Sequence, residues 1–328
     1  MNDKLSRVLF LMLGVLMLVS CSHKDNSMFS GLDYQMSMSP TYDAKKLSQI
    51  ESLKLISRDL DRNGQFRTLM RIGEEYESFQ FDSSLTYFSA ALQVARQTGG
   101  KDDIDLANIR LGRLYTRAGH FLEANTTLFE RIDPSSLSPA IQGEYYAAVL
   151  KSAGDLTGNS GVYDYCELPD IDQARKDFYS SADPASLMYA EVKISEMLYG
   201  DRLLGADSLC RAILARIPDS DRDYAMFAWY QSQICEYLGQ SQERMEWLVK
   251  SAEADMINSV KDYASLTLIA QSLMDIDMNR SFRYYVRSFN DATSYNAKLR
   301  PWQIAQSFNQ IQQARDFAGG KPDNFLFM

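Results

Sequence analysis

The chain has 328 residues, of which 45% are hydrophobic and 23% are charged, the balance of a folded globular protein. Its 17 glycines and 8 prolines are too few for a collagen-like or low-complexity chain. The 34 Lys and Arg residues against 43 Asp and Glu residues give a net charge of −9, which argues against a nucleic-acid-binding surface. After the N-terminal region the only histidine is His120, and no cysteines have zinc-type spacing, so we expect neither a metal nor a cofactor.

The N-terminal residues have the form of an export signal. Lys4 and Arg7 precede an apolar run, residues 8–19, which has the length of a signal-peptide core. The sequence Leu18-Val19-Ser20-Cys21 resembles a bacterial lipobox, in which the Cys is lipidated and becomes the first residue of the mature chain. We predict a signal peptide at residues 1–20 and lipid attachment at Cys21; an ordinary secretory signal or an uncleaved anchor are the alternatives. The expected location is a membrane of the cell envelope, on its periplasmic face or at the cell surface.

Three regions follow the signal. Residues 21–42 are rich in Ser and Met and contain Pro40, which predicts a flexible tether. In residues 43–316 apolar side chains recur at helical spacing, and residues 317–328 form a predicted tail. Turn signals divide the middle region into helices of about 12 to 18 residues. These signals include Asn63-Gly64, Gly99-Gly100, Ala118-Gly119, Asp133-Pro134, Asp183-Pro184 and Leu238-Gly239.

The segment of residues 111–124 carries the strongest repeat signal. It resembles the core of a tetratricopeptide repeat (TPR), in which a Gly turn joins two helices and small residues let those helices touch. The matching residues are Leu111, Gly112, Tyr115, Gly119, Phe121 and Ala124. The predicted fold class is all-α: an α-solenoid of about six or seven TPR-like helical hairpins in a right-handed superhelix, with a generic helical bundle as the alternative.

Four further segments resemble one particular family. In chain order they read YESFQFDSSL (76–85), DRDYAM (221–226), AEADMINSVK (252–261) and YNAKLR (295–300). They are similar to a large family of envelope TPR proteins of the Bacteroidetes. In longer members the repeats form an N-terminal sensor region, followed by a transmembrane helix, a coiled coil and a regulator-like cytoplasmic domain. After Ala314 this chain does not continue in that way, so the resemblance implies a stand-alone sensor-type module or a truncated relative.

The concave face of a TPR array usually binds an extended peptide or a partner helix, and this is the function that we predict. Arg110, Arg113 and Arg117 recur at i, i+3 and i+7 and form one basic edge of the expected groove. Three guanidinium groups could hold a ligand carboxylate, whereas ion pairs with neighbouring acidic residues are the alternative. Trp229 is a further candidate groove residue, for which core packing is the alternative.

Two tyrosines are candidate loop-binding residues. Tyr163 and Tyr165 lie in an irregular stretch, residues 157–169, and long loops in compact arrays are either functional or disordered. Exposed rings at these positions, or at Trp229 and Trp247, would suit an alternative function, a glycan- or nutrient-binding lipoprotein. Against that alternative, the chain lacks the extra non-repeat region with which larger TPR-containing sugar binders build their site.

No residue is assigned a catalytic role, and the protein is not expected to be an enzyme. The densest carboxylates, near Glu74 and Asp102, lie at or near predicted helix starts, where the helix dipole stabilises negative charge. No neighbouring His, Cys or phosphate-binding loop completes a mechanism. Apart from Cys21 and Cys166, the remaining cysteines are Cys210 and Cys235, which we expect to be buried thiols rather than a disulfide.

Overall fold

The computed structural model describes residues 28–57, 60–158, 168–200, 202–296, 298, 301 and 304–305. The predicted signal peptide, the tail and the residues Cys21, Tyr163, Tyr165 and Cys166 lie outside these ranges. Within them the protein is built from α-helices joined by turns, which confirms the all-α prediction. No helix of the described ranges is long and apolar enough to cross a bilayer.

Thirteen α-helices occur in the described part of the chain. They are α1 (Ser30–Ile56), α2 (Arg62–Tyr76), α3 (Phe81–Thr98), α4 (Lys101–Ala118), α5 (Phe121–Asn125), α6 (Pro139–Gly158), α7 (Ile171–Ser181), α8 (Leu187–Tyr199), α9 (Leu203–Leu214), α10 (Arg222–Tyr237), α11 (Ser241–Ile257), α12 (Ser265–Ser272) and α13 (Met278–Tyr295). A π-helical segment (Thr126–Glu130) extends α5, and a 3₁₀ turn (Pro134–Ser136) precedes α6. After α1 the helices pair into hairpins, from α2/α3 to α12/α13, which confirms a helical-repeat solenoid.

Local capping sets many of the helix boundaries. Asp61 caps α2 and accepts a hydrogen bond from the backbone N–H of Gly64 at 2.8 Å. The break predicted at Asn63-Gly64 is therefore misplaced by two to three residues, because these residues lie in the first turn of α2, after its N-cap Asp61. At the other end of the hairpin helices, Gly99 and Gly119 end α3 and α4 in left-handed conformations, with φ of 73° and 78°. Similar N-caps on later helices are Asp170, Ser186 and Asp277.

Two glycines let the helices of the first two hairpins touch. A Cβ atom on Gly73 of α2 would lie 2.5 Å from the ring of Phe88 on α3. A Cβ atom on Gly112 of α4 would lie 2.4 Å from the side chain of Leu128. Phe88 and Leu128 are both fully buried, so the helix–helix spacing leaves no room for a side chain at either glycine.

The N-terminal part of the described chain corrects one prediction. Residues 30–42, assigned to a flexible tether, belong to the 27-residue helix α1. Leu32 and Ile50 of α1 are fully buried, whereas Pro40 lies on its exposed side. The composition misled the prediction because Ser and Met residues can pack along a helix whose buried face is defined by only a few positions.

Helix α1 connects the two ends of the array. Its N-terminal residues Phe29 and Leu32 belong to a core cluster with residues of α11, α12 and α13. Near its other end, Ile50 packs with Ile72 and Tyr76 of α2 in a separate cluster. Because one helix packs against both the last hairpins and the first, the array closes on itself.

Gly112→Ala is expected to lower the free energy of unfolding by about 1–3 kcal/mol, because the new methyl group would overlap Leu128. The control is Gly154→Ala on α6, where a Cβ atom would meet no atom within 4 Å. That change should instead raise the free energy of unfolding by about 0.5–1 kcal/mol through the lower flexibility of alanine. Urea unfolding measures both values, and equal stability of the two variants would contradict the packing assigned to Gly112.

Candidate functional site

The turn between α2 and α3 is the point at which distant parts of the chain meet. It contains Glu77 and Ser78, which are 4% and 1% exposed. The backbone N–H of Lys261 donates to the carbonyl of Ser78 at 2.7 Å, and the hydroxyl of Tyr295 donates to the carbonyl of Glu77 at 2.8 Å. The guanidinium of Arg222 lies 3.5 Å from the carboxylate of Glu77. We call the contacts among these five residues the closure.

The four segments that resemble the envelope family all take part in the closure. The turn lies in the first segment, Arg222 in the second, Lys261 in the third and Tyr295 in the fourth. Residue 296 of the fourth segment adds a further contact, since the amide of Asn296 donates to the carboxylate of Asp82 at 3.0 and 3.2 Å. The segments are far apart in the chain, and their role in this structure is to hold the ends of the array together.

Lys261 is a buried lysine at the centre of the closure. Its side chain is 7% exposed, and its Nζ atom lies 2.8 Å from the carboxylate of Asp43 on α1. The same atom lies 3.5 Å from Asp291 on α13 and 5.8 Å from the centre of the Phe79 ring. Two carboxylates compensate for the cost of removing the ammonium group from water. One side chain thus joins α1, the turn and the last helix.

The carboxylate of Glu77 is surrounded by guanidinium groups. Burial alone raises its pKa, but the positive charges around it outweigh that effect and lower the pKa to about 2. In decreasing order of effect, these charges belong to Arg113, Arg222, Arg117 and Arg110. Glu77 is therefore ionised at neutral pH, and the arginines predicted as a groove edge neutralise an internal carboxylate.

Each arginine of the predicted basic edge also lies next to an acidic residue, and two of them share one. Nε of Arg110 lies 2.7 Å from the carboxylate of Glu144, and the guanidinium of Arg113 lies 3.7 Å from the same group. Arg117 pairs with Asp262 in the turn between α11 and α12. Two roles were predicted for these residues, and the structure shows the second, ion pairs with neighbouring acidic residues. A ligand carboxylate would have to compete with Glu144 or Asp262.

A second carboxyl group lies close to this network and is neutral. Asp255 on α11 is 7% exposed and accepts a hydrogen bond from the hydroxyl of Ser265 at 3.2 Å. Burial, and then the negative charge of Asp262, raise the pKa of Asp255 to about 8. Arg117 and the hydrogen bond from Ser265 lower that pKa by less. Asp255 is therefore protonated at neutral pH.

The first helices of four consecutive hairpins, α4, α6, α8 and α10, contact one another in series. We call the charged residues of these helices that are linked by ion pairs or by electrostatic effects on a common carboxyl group the inner surface. Its members are Arg110, Arg113, Arg117, Glu144, Glu191, Arg222 and Asp223. The positive charge of Arg113 lowers the pKa of both Glu191 and Asp223, against the larger opposing effect of burial.

Two carboxylates of the inner surface differ from the others. Glu191 and Asp223 are part-buried, and neither has a basic group within the 4.0 Å of an ion pair among the described residues. Burial is the main cause that raises the pKa of each. For Glu191 the positive charges of Lys151, Arg113 and Arg117 oppose this effect. The inner surface therefore contains two partly desolvated carboxylates without a direct counter-ion.

The tryptophans are engaged in local contacts. Trp229 packs against two core clusters, and its ring meets Tyr230 edge-on at 5.2 Å. Trp247 donates a hydrogen bond to Glu243 at 3.3 Å, and Nζ of Lys250 lies 4.0 Å from the centre of its ring. Both rings are part-buried. The structure therefore shows Trp229 packed against the core rather than at an open groove position.

The two cysteines in the described ranges are free and buried, as the sequence predicts. Burial raises the pKa of Cys210 to about 12 and also raises that of Cys235. Both thiols therefore remain protonated and unreactive at neutral pH. In the same ranges no group of three or more His, Cys, Asp or Glu side chains is arranged to hold a metal ion.

Sequence reasoning did not identify the buried ionisable residues in and beside the closure as a connected set. Lys261, Asp255 and Glu77 are separate positions in the sequence, and each also fits a solvated helix end. The available signal was the family-like segments themselves, since all three residues lie in them. A segment that resembles a family without carrying obvious chemistry is a candidate for a structural contact of this kind.

The chain was also compared with known proteins. Residues 36–306 match the model of a protein family described as the SusR N-terminal TPR domain. The matched region begins within α1 and includes all four segments of the closure, so residues 36–42 belong to the domain rather than to a tether. No curated protein matches the chain.

Tyr295→Phe is expected to lower the free energy of unfolding by about 1–2 kcal/mol, because the buried carbonyl of Glu77 loses its donor. The matched control is Tyr34→Phe, since Tyr34 is 59% exposed and its ring hydroxyl is available to water. Denaturant unfolding gives the stability of each variant, and amide hydrogen exchange of residues 77–80 reports on the turn itself. Equal stability and equal exchange in the two variants would contradict the role of Tyr295.

Asp255→Asn is expected to remove a pH dependence of stability. The pKa of Asp255 rises from its ordinary 3.8 to about 8 on folding, so its stabilising effect is complete below pH 4 and is lost as the pH rises to 8. The loss amounts to at most about 1.4 kcal/mol per pH unit. The variant should match the wild type at pH 4 and exceed its stability at pH 8.

Urea unfolding at pH 4, 6 and 8 measures this effect. Asp172→Asn is the control, because the side chain of Asp172 is 84% exposed and should leave the pH dependence unchanged. An Asp255→Asn variant that loses stability with pH as steeply as the wild type would show that Asp255 is ionised in the folded protein.

Proposed function

The chain belongs to the family of SusR N-terminal TPR domains, and from this we propose that it is a non-catalytic sensor or interaction module of the cell envelope. Its ligand in this proposal is a protein or peptide that binds the inner surface. TPR arrays generally present the first helices of their hairpins to an extended partner. The inner surface consists of side chains from such helices, which supports this location.

One observation carries the proposal. The inner surface combines arginines that have acidic partners with two acids that have no basic partner among the described residues, all on adjacent first helices. Glu191 and Asp223 are removed from bulk water without a compensating ion pair, which costs stability. Residues whose burial lowers stability, and which form no stabilising contact in exchange, are typical of binding sites.

Membrane attachment through Cys21 is part of the same proposal. Six residues lie between Cys21 and Met28, where the described chain begins, and the seven Cα–Cα steps from one to the other span at most about 25 Å. The next residues, Phe29 and Leu32, are fixed in the core formed with the last hairpins. A lipid on Cys21 would therefore hold the array close to the bilayer, on the side of α11 to α13.

The glycan-binding alternative receives no support from the tryptophans. Trp229 and Trp247 are part-buried and already in contact with protein groups. Sugar-binding platforms need aromatic faces that are open to solvent. We therefore keep the protein or peptide ligand as the single proposed function.

The test is crosslinking and pull-down from envelope membranes with the mature chain. A protein partner should be recovered by the wild type and by Arg175→Glu, and lost with Arg113→Glu. Arg175 is the matched control, since its side chain is 38% exposed against 35% for Arg113 but lies on the second helix α7. Equal recovery by both variants would place the partner outside the inner surface.

The role of the lipid is tested separately with Cys21→Ala. This variant should leave the membrane fraction and still bind the partner in solution, because Cys21 lies outside the TPR domain. If Cys21→Ala remains membrane-bound after a salt wash, anchoring through Cys21 is wrong.

A further inference from the structure

Large apolar side chains are exposed along one edge of the array, in five successive hairpins. The two helices of a hairpin are antiparallel and the hairpins stack side by side, so the turns within hairpins share one edge, which we call the turn edge. In or beside each turn from α4/α5 to α12/α13, one large apolar residue is at least 40% exposed; these residues are Leu122, Leu168, Leu204, Tyr237 and Ile276. Single exposed apolar residues are normal on a protein surface, whereas their recurrence along one edge is typical of an interaction site.

The last two of these turns are side by side. Arg244, in the first turn of α11, pairs with Glu236 near the end of α10. It also donates a hydrogen bond to the hydroxyl of Ser272, the last residue of α12, at 3.3 Å. Tyr237 and Ile276, which are 61% and 74% exposed, therefore lie in neighbouring turns.

The N-terminus of α1 lies at the same edge. The core cluster that contains Phe29 also has Met274 and Met278 packed against it. These two methionines flank Ile276 in the sequence. The guanidinium of Arg280, in the first turn of α13, lies 5.2 Å from the centre of the Phe29 ring. The described chain therefore begins beside the turn that contains Ile276, and the predicted lipid is attached on this side.

The charges near this turn provide no attraction to a charged surface. Asp277 pairs with Arg280 at 2.9 Å, and Asp275 is a further acidic residue next to Ile276. A partner at this part of the turn edge must therefore be held by apolar contacts. A bilayer supplies such contacts at the boundary between its headgroups and its acyl chains.

We propose that the turn edge at Leu204, Tyr237 and Ile276 docks onto the bilayer that holds the lipid of Cys21. This inference rests on the lipid attachment in the proposed function. A lipid on Cys21 lies at most about 25 Å from Met28, so the bilayer is held next to this edge. Three apolar side chains bind a bilayer weakly by themselves, but the anchor keeps them beside it at high effective concentration. Cys21→Ala therefore still leaves the membrane, whereas the anchored chain is held in one orientation.

The experiment uses the lipidated mature chain in vesicles of phosphatidylcholine, which carry no net charge. A fluorescent label is attached at Gln240→Cys, an exposed position of the α10–α11 turn, or at Ser220→Cys, an exposed control position at the opposite edge. Both proteins carry Cys166→Ser, and the buried thiols Cys210 and Cys235 do not compete for the label. Lipids with a quencher on the upper part of the acyl chain should quench the label at Gln240→Cys several-fold more than the control label.

Two double variants test the apolar side chains themselves. Leu204→Ser with Ile276→Ser should reduce the quenching of the label at Gln240→Cys to the level of the control label. Leu55→Ser with Ile56→Ser is the matched control and should leave the quenching unchanged. Its side chains are 60% and 59% exposed, but they lie at the other end of α1, about 38 Å from its N-terminus. Equal quenching in the two double variants would overturn the inference.

The remaining outcomes separate this inference from the proposed function. If the mature chain floats with the vesicles while both labels stay unquenched, the lipid anchor holds and the docking inference is overturned. If the control label is quenched instead, the opposite edge faces the bilayer and the inference is again overturned. If the chain carries no lipid and does not float, the anchor and the inference both fail. If the label at Gln240→Cys is shielded from a water-soluble quencher in native envelope membranes but not in the vesicles, a protein covers the turn edge, and docking onto lipid is overturned.

Discussion

The carbonyl groups of Glu77 and Ser78 accept hydrogen bonds from Tyr295 and Lys261, which belong to the far end of the repeat array. In an open solenoid each repeat contacts only its neighbours, and the first and last repeats remain apart. Here the buried turn, together with α1, ties the ends to each other. The curvature of the array is then no longer set by repeat packing alone, since the array must also bend far enough for the contacts of the closure to form.

The closure determines which charges can exist inside the molecule. The closed array brings distant segments together, so that Arg117 of α4 pairs with Asp262 of the α11–α12 loop, and the charges of the α4 arginines lower the pKa of Glu77 in the turn. Buried charges are tolerated only when they are paired or neutralised. Glu77 satisfies this rule by ionising among arginines, whereas Asp255 satisfies it by keeping its proton. Glu191 and Asp223 are part-buried but have no ion-pair partner among the described residues, and burial raises the pKa of each. This distinguishes them from the paired charges of the closure.

This distinction matters for recognition because a repeat scaffold does not specify a ligand. The arginines of α4 are the most conspicuous charged residues in the sequence of the best repeat, yet they stabilise the ring. The less conspicuous acids of α8 and α10 have no ion-pair partner among the described residues. Arg113 links the two regions, since its positive charge lowers the pKa of Glu77 at the closure and that of Glu191 at the inner surface.

The sequence by itself determined the local features of this protein. Apolar spacing, Gly turns such as Gly119 and the small residue Gly112 act over a few residues, and they identified the helices, the hairpins and the family. The helical state of residues 30–42 and the pairing of Arg117 with Asp262 were decided only by the tertiary structure. The physical reason is the distance along the chain over which each effect acts. Helix formation depends on near neighbours, whereas the pairing of a charge depends on which distant residue the closed array brings within a few ångströms of it.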